Sequence, residues 1–516
     1  MVETADVLIV GAGAAGSLYA ARFAGAGRRV VVLDAGPAWA LEDLVSSQLY
    51  ARRLKWGGPP VEFRGNHRGF GHNLNTGSGL GGAALHHYAT WPRMGPEMFR
   101  SRSLHGRGQD WPIGYDDLRP HYDRIQAEVG ISGDAEAEIW RPPGAPYPMP
   151  GVKRFAHGRL LAAGFEKLGF PTAPLPLAIT STEYDSRPAC LYDGWCDAGC
   201  PIGALANPPA TYQRVAVEAG AEFRARSTVT RILPAAANRV AGVVYVDAKG
   251  VRRTVEAGTV ILAASAVQNP RLLLASACPE WPAGPGNARG QVGRNFMLDS
   301  LALVYGLFPQ ETENHMGVSA GQVTNRVRYT GDRDDAPFGS YQWQVAPAMK
   351  PNDIFGVATT RPDLFGPALH AFMARAAKHL AGMVAMIGAF PDPANRVVLS
   401  DRRDAFGVPL PRVEHRVDDA TMALWRHCGE EGGRVMAAAG ATEHWTGSYN
   451  AGHLIGGTLM GDDPATSVTD NLGRVHGIDN LLIAGSGLFP TSGGISPTFT
   501  LLAVALRSVE RLLAAR

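Results

Sequence analysis

The first thirty-four residues contain the pattern that most restricts how this chain can fold. Residues 6–10 are short, apolar and β-branched, as expected of a buried parallel strand. A Gly-x-Gly-x-x-Gly motif at 11–16 follows, and an alanine-rich helical stretch then extends to about Ala26. A second apolar run over 29–33 ends at Asp34. Strand, glycine turn, helix, strand and acid, in this order, predict a dinucleotide-binding unit at the start of an α/β fold.

Each residue type in this unit has a physical reason to be there. Gly11 permits the tight turn, Gly13 lets a pyrophosphate approach the backbone, and Gly16 lets helix and strand pack closely. The free N–H groups of the helix N-terminus then face the phosphates. Asp34 lies 18 positions after Gly16, where a carboxylate would accept hydrogen bonds from ribose hydroxyls. These residues alone leave FAD and NAD both open, and an ordinary glycine turn is the alternative.

The composition favours a large globular enzyme and argues against several other classes. At about 100–200 residues per domain, 516 residues predict two domains or a discontinuous pair. Lys and Arg number 49 and Asp and Glu 47, so we expect no nucleic-acid partner. The longest near-apolar stretch, 380–390, is about half of the ~20 residues that cross a bilayer, so we expect no membrane span. No secretory leader precedes the first strand, which predicts a soluble chain made in the cytoplasm.

The rest of the chain predicts a two-part molecule, α/β in class and α+β overall. Alternating apolar residues over 223–260 predict a strand, a hairpin at Lys249 and Gly250, and a return strand. Near the C-terminus, 480–486 predict a buried strand and 498–513 a helix with one apolar face. We expect a discontinuous Rossmann-like cofactor domain from 1–100, 195–300 and 445–516, and a substrate domain with a mainly antiparallel sheet from 101–189 and 301–444.

Three further segments carry a family resemblance. They are the glycine-rich loop 77–82 with His86 and Arg93 after it, the strand from Val260 that leads into Asn-Pro-Arg at 269–271, and the run 452–497. Together with the N-terminal motif they resemble the glucose-methanol-choline (GMC) flavoprotein oxidoreductases over nearly the whole chain. The resemblance implies FAD as the nucleotide, held by Gly11, Gly13, Gly16, Asp34, Gly79, Gly81, Gly82, His86, Val229, Gly485 and Pro497.

Two segments, 111–122 and 391–399, are similar to one branch of this family, the large subunits of membrane-associated sugar dehydrogenases. Those enzymes oxidise gluconate, fructose, sorbitol, glucose or glycosides. The resemblance implies a small helper subunit with an export signal, and a cytochrome c or quinone as electron acceptor. It also implies residence on the periplasmic side of the inner membrane, by export together with a partner.

Three of the five cysteines lie close together, at Cys190, Cys196 and Cys200. An odd total excludes a complete set of intrachain disulfides, and clustered thiols in a large chain favour metal or redox chemistry. Their C-x5-C-x3-C-P spacing resembles the triplet of the sugar dehydrogenase branch, which implies a [3Fe–4S] cluster in segment 190–201. Zinc is an alternative, although it usually takes four ligands. Three unrelated thiols, one of them in a disulfide, are the other alternative.

The candidate catalytic group is His453, which lies between glycines near the C-terminus. A lone histidine is more often a core or capping residue, but the resemblance implies a base that faces the flavin ring. Imidazole suits that task, because alcohol oxidation needs a group that takes the hydroxyl proton near neutral pH. The family's second polar residue, Asn or His, falls 43 positions later, where this chain has Ser496. Serine is shorter, so its role is either mediated by water or taken by a residue such as Asn450.

His86 raises the question of how FAD is attached. It lies four residues after Gly82, where some relatives bind the flavin covalently through an imidazole and others hold it without a bond. The adjacent His87 is the candidate to turn outward. Both modes of attachment stay open at this stage.

These observations predict an FAD-dependent dehydrogenase that oxidises a hydroxyl of a sugar, polyol or glycoside. Hydride would pass to the flavin with His453 as base, and electrons would leave through the cluster to an external acceptor. One alternative is a stand-alone cytoplasmic oxidase that uses oxygen and has no cluster. A second is a non-catalytic flavin-binding or assembly subunit, supported only by Ser496.

Overall fold

The computed structural model describes residues 3–68, 72–325, 328–329 and 337–515. The helices are α1 (Ala14–Gly25), α2 (Gln48–Trp56), α3 (Ser101–His105), α4 (Tyr115–Val129), α5 (Ala156–Lys167), α6 (Tyr212–Glu218), α7 (Ser265–Ala275), α8 (Pro351–Ala358), α9 (Pro367–His379), α10 (Asp419–Ala439) and α11 (Thr498–Ala514). The strands are β1 (Glu3–Val10), β2 (Val30–Leu33), β3 (Glu62–Gly65), β4 (Ala173–Pro174), β5 (Glu222–Arg224), β6 (Thr228–Ala236), β7 (Arg239–Val246), β8 (Arg252–Leu262), β9 (Met297–Leu307), β10 (Val323–Thr324), β11 (Arg328–Tyr329), β12 (Ser340–Val345), β13 (Leu380–Ile387), β14 (Arg396–Arg403), β15 (Pro409–His415), β16 (Glu443–Thr446), β17 (Asn450–Ile455) and β18 (Leu481–Ile483).

The N-terminal unit is the centre of a seven-stranded mixed sheet. Its order is β5-β2-β1-β8-β7-β6, and β18 pairs with β8. Along one edge, the strand β8 pairs with two strands: residues 252–256 pair with β7, and residues 260–262 pair with β18. Its other edge pairs in parallel with β1 through residues 255–262. The last residues of β1 and all of β2 are buried, as expected of parallel strands covered on both faces.

The second large sheet is antiparallel and has eight strands. Its order is β16-β9-β13-β12-β10-β4, with β11 on β12 and β17 on β9. The long strand β9 pairs with β17 through residues 297–301 and with β16 through residues 304–307. Helices α5 and α10 cover this sheet around the buried Trp343. The strands β16 and β17 thus belong to the antiparallel sheet although they lie close to position 445, and the domain boundaries expected from the sequence stay a prediction.

A small third sheet, β14-β15-β3, joins distant parts of the chain. The strand β3, from the N-terminal region, is parallel to β15. On the mixed sheet, α1 packs against α6 and α11, and α11 packs against α4. None of the helices within the described residues is long and apolar enough to cross a membrane.

The predicted fold class, a mixed α/β molecule with an antiparallel sheet, is confirmed. The hairpin at Lys249 and Gly250 joins β7 to β8, and the predicted C-terminal strand and helix are β18 and α11. The helix α4 begins at Tyr115. It starts there because an Asp117 carboxylate oxygen accepts the backbone N–H of Gly114, at 2.8 Å, and so caps the helix.

Candidate active site

A cavity of about 1590 Å³ lies where the carboxyl ends of β1 and β2 meet the antiparallel sheet. Open parallel sheets bind ligands at this end of their strands. Most of the residues expected from the sequence line this one cavity: Gly11, Gly13, Asp34, Gly82, His86, Val229, His453, Gly485, Ser496 and Pro497. Gly16, Gly79, Gly81 and the three cysteines are not among the residues that line it.

The N-terminal glycines are required by close approaches of the backbone. Gly11 has φ +104°, and a Cβ there would lie 2.5 Å from the carbonyl oxygen of Ala263. A Cβ on Gly16 would lie 2.0 Å from the carbonyl oxygen of Gly11, so any side chain would push the turn away from α1. The turn therefore keeps the N-terminus of α1 open to a phosphate group, as the motif predicts.

Asp34 holds the two glycine loops together. One carboxylate oxygen accepts the backbone N–H of Ala12 at 2.9 Å, and the other accepts those of Gly36 at 2.9 Å and Gly79 at 3.1 Å. The N–H of Gly81 donates to the carbonyl oxygen of Ala12 and adds a second tie. Burial raises the pKa of Asp34, although the three N–H groups favour its charged form. The sequence predicted only a ribose contact for Asp34 and missed this role.

The pair His86 and His87 places two neutral imidazoles in the cavity wall. Burial lowers the pKa of His86 to about 3 and that of His87 to about 4. In the described part of the chain, Nε2 has no hydrogen-bond partner in either ring. His87 does not turn outward, because it lines the cavity beside His86. Two uncharged rings with free nitrogens fit a wall that contacts a bound planar group.

His453 lies on a bulge of β17 and reaches into the same cavity. The bulge falls between Gly452 and Leu454, opposite β9, and His453 has φ +51°. Its Nδ1 lies 2.8 Å from an oxygen of Asp299, which is fully buried on β9. The imidazole keeps 27% of its side-chain surface exposed. Asp299 was not among the residues expected from the sequence, although an acid inside an otherwise apolar strand is a signal that could have found it.

Ser496 and Asn450 are both held by neighbours. The amide of Gln344 donates to the Ser496 hydroxyl at 3.2 Å, and both side chains line the cavity. The side-chain oxygen of Asn450 accepts the backbone N–H of Ala451 at 2.8 Å. Gln344 thus brings an amide next to the position where the family pattern has Asn or His. It too was missed from the sequence.

The three clustered thiols are packed against backbone N–H groups. Burial raises the pKa of Cys190 and Cys196 to about 12 and also raises that of Cys200, and the neighbouring thiols reinforce the shifts of Cys190 and Cys196. Among the described residues, no group of three or more His, Cys, Asp or Glu side chains is arranged to hold a single metal ion. Each thiol accepts at least one N–H: that of Tyr192 at Cys190 (3.3 Å), that of Ser319 at Cys196 (3.4 Å) and that of Leu205 at Cys200 (3.4 Å).

A buried charge cluster connects the thiols to the cavity. Asp197 follows Cys196 and lies 2.6 Å from Nζ of Lys55 and 3.3 Å from Nζ of Lys350. Burial would raise the pKa of Asp197, but the two lysines lower it below its ordinary value. Both lysines line the cavity, as does Ser319, which donates to Cys196. The cysteine segment therefore contacts the back of the cavity wall.

Comparisons with known proteins agree with this geometry. Profiles of the family described as GMC oxidoreductase match residues 5–300 and 391–505. The chain is 30% identical to the fructose dehydrogenase large subunit of Gluconobacter japonicus, over 99% of this chain and 98% of that one. It is 27% identical to paromamine 6'-oxidase of Streptomyces fradiae, over 98% of this chain and 90% of that one.

The solved structure of formate oxidase from Aspergillus oryzae RIB40 has the same fold, with a TM-score of 0.70, 15% identity and coverage of 100% of this chain and 99% of that one. The first family profile alone spans more than half of the sequence. The chain therefore belongs to the GMC oxidoreductase family and is an FAD-dependent oxidoreductase that acts on CH–OH groups.

Proposed function

We propose that this chain is a dehydrogenase that oxidises a hydroxyl of a sugar, polyol or glycoside and passes the electrons to an external acceptor. The observation that carries the proposal is the position of His453, which lies in the same cavity as both glycine loops. The 30% identity to a fructose dehydrogenase large subunit supports the substrate class.

The residues that line the cavity fit FAD. When bound, FAD supplies the acceptor for a hydride from the substrate carbon. Gly13 and the N-terminus of α1 would hold its pyrophosphate, and Val229, Gly485 and Pro497 would complete the contacts implied by the family. The free imidazole nitrogen of His86 lies at the wall beside Gly77, where it would contact the bound group.

His453 acts as the base in this proposal. It accepts the hydroxyl proton of the substrate while the hydride leaves the same carbon. Ser496 and the amide of Gln344 provide hydroxyl and amide groups in the same cavity for orienting the substrate hydroxyls.

The cysteine triplet fits an iron–sulfur cluster better than zinc. Such a cluster, when bound, carries electrons one at a time, and Cys thiolates are its ligands. Backbone N–H groups already point at all three sulfurs, and they would stabilise negative charge there once iron replaces the thiol protons. Zinc usually takes four ligands, and the triplet supplies three.

Partners and location follow from this proposal. A dehydrogenase with such a cluster needs an electron acceptor, which we propose to be a cytochrome c or quinone, and a small helper subunit that carries the export signal. The relative from Gluconobacter is itself named a large subunit. We place the complex on the periplasmic side of the inner membrane. If the chain is instead an oxidase, a reading favoured by its 27% identity to paromamine 6'-oxidase, it is cytoplasmic and needs no partner.

The deciding experiment is purification under anaerobic conditions, with iron and sulfide counted per flavin and the electron-spin spectrum recorded. We expect three irons per flavin in the parent protein and loss of iron in Cys196→Ser. Cys428→Ser is the matched control, because Cys428 is a buried thiol on α10, outside the triplet. An iron-free yellow protein that forms peroxide from oxygen with a sugar would overturn the dehydrogenase proposal in favour of the oxidase.

A further inference from the structure

We propose that Asp299 is a positioning residue that keeps Nε2 of His453 free to accept the substrate proton. The inference deepens the proposed function, because it depends on His453 acting as the base. It assigns a task to a buried acid that neither the sequence pattern nor the family resemblance singled out.

The contact between the two side chains selects one form of the imidazole ring. Nδ1 of His453 lies 2.8 Å from a carboxylate oxygen of Asp299. A carboxylate can only accept a hydrogen bond, so Nδ1 carries the proton and donates it. In the neutral ring the lone pair is then on Nε2, the nitrogen that remains for the substrate. Asp299 therefore sets which nitrogen works as the base.

The backbone is shaped to make this contact. Gly452 pairs with Asp299 across the two strands, and the bulge then inserts His453 before pairing resumes at Leu454 and Leu298. His453 has φ +51°, which is uncommon for a residue with a side chain and is tolerated where the surroundings hold it. Bulges next to active sites commonly redirect a side chain, and this one turns the imidazole towards Asp299.

Stability alone does not explain why Asp299 is buried. The residue is fully buried, and its second carboxylate oxygen has no hydrogen-bond partner among the described residues. Burying a charge with one partner is costly, whereas the same low-polarity environment strengthens its attraction to a protonated imidazole. Asp299 would thus stabilise His453 at the moment when the ring takes the substrate proton.

The other titratable groups around this pair are few in the described structure. Burial raises the pKa of Tyr449, and the charge of Asp299 adds to that shift. The Tyr449 hydroxyl shares a 2.9 Å hydrogen bond with the hydroxyl of Ser300. His67 packs edge-on against the Tyr449 ring, with centroids 5.5 Å apart. None of these groups replaces Asp299 as the partner of Nδ1.

The test uses the flavin-loaded Asp299→Asn variant, which keeps the size of the side chain. Flavin reduction is followed without oxygen as a function of pH, using whichever of D-fructose, D-gluconate and D-sorbitol reduces the parent fastest. We expect the rate to fall by about 10²- to 10⁴-fold, the range lost when general-base catalysis fails. We also expect the acid limb of the profile to move to lower pH, with FAD absorbance retained. A purely structural role would leave that limb in place.

A second readout does not depend on turnover. Nitrogen-15 spectra of the imidazoles identify His453 as the signal that disappears in His453→Asn, and we expect the parent to show the Nδ1–H form. Asp299→Asn should remove that preference. Ser300→Ala is the control on the same strand and should change neither readout.

The outcomes separate the two ideas. If His453→Asn abolishes flavin reduction while Asp299→Asn keeps both the parent pH profile and the Nδ1–H form, the role of Asp299 is refuted and the proposed function stands. If His453→Asn still reduces flavin at the parent rate, His453 is not the base and the proposed function is wrong in that respect.

Discussion

Replacing Asp34 tests whether this carboxylate ties the two glycine loops together or serves only a bound ribose. In the structure it accepts three backbone N–H groups, those of Ala12, Gly36 and Gly79. Asp34→Asn keeps one acceptor oxygen for Gly36 and Gly79 but turns an amide NH₂ towards the N–H of Ala12. Asp34→Ala leaves all three donors without an acceptor. The two variants therefore remove the tie in two steps.

The expected loss follows from the number of orphaned donors. A buried N–H without a partner costs about 1–3 kcal/mol. We expect Asp34→Asn to lower the free energy of unfolding by about 1–3 kcal/mol, and Asp34→Ala by about 3–6 kcal/mol after some relaxation. Losses of this size are a large share of the roughly 5–15 kcal/mol typical of a native protein.

The assay is urea unfolding of the FAD-free protein, with FAD affinity measured in parallel. Asp6→Asn is the control, because Asp6 is an exposed acid of the same sheet that accepts a single N–H from Arg29. It should change stability by less than about 0.5 kcal/mol. If both Asp34 variants lose FAD affinity while the FAD-free protein unfolds like the parent, Asp34 acts through the ribose and not through the loops.

Three further changes have defined outcomes. If the free imidazole of His86 is bonded to FAD, the acid-denatured parent stays yellow and His86→Ala releases its flavin; a colourless parent pellet excludes the bond. Burial lowers the pKa of His415 from 6.5 to about 3. The unfolded state therefore binds the extra proton, and stability should fall by about 1.4 kcal/mol per pH unit as pH drops from about 6.5 towards 3. His415→Gln should reduce the slope measured in urea titrations by about 1.4 kcal/mol per pH unit, and an unchanged slope contradicts the assignment. Lys350→Met should cost about 1.5–3 kcal/mol in thermal unfolding, because it strips Asp197 of a buried partner. The exposed pair of Lys378 and Glu311 is the control, since Lys378→Met should cost about 0–1 kcal/mol, and equal losses would refute the distinction.

Local sequence patterns were sufficient for the first elements of the mixed sheet, whereas the single strand expected before the hairpin at Lys249 and Gly250 is divided into β5, β6 and β7. The apolar run at 6–10 and the glycine motif after it predicted β1 and α1. The spacing of apolar residues and the residue types of a turn depend on only a few neighbouring positions, so a local pattern contains them. The strand starts earlier than predicted, at Glu3, since its first residues pair with 255–257 of β8. That extension depends on a partner far along the chain, which the local pattern does not contain.

The site was only partly predictable for the same reason. The glycine loops, His453 and Ser496 could be selected from motifs, and the structure brings them to one cavity, while their catalytic and binding roles stay predictions. Gln344 had no motif of its own. Gln344 reaches the Ser496 hydroxyl because β12 lies within the antiparallel sheet. The two residues are 152 positions apart in the sequence, so no local pattern predicts their contact.

The two acids at the site show what kind of information a single sequence lacks. Asp299 meets His453 across 154 positions and Asp34 meets Gly79 across 45, so neither contact has a local signature. The contact between Asp299 and His453 depends on strand register, because a slip of one residue between β9 and β17 would turn Asp299 to the opposite face and leave His453 without its partner. The bulge at His453 fixes that register by inserting one unpaired residue between Gly452 and Leu454. The chemistry proposed for this cavity therefore depends as much on strand pairing as on the residues that touch the substrate.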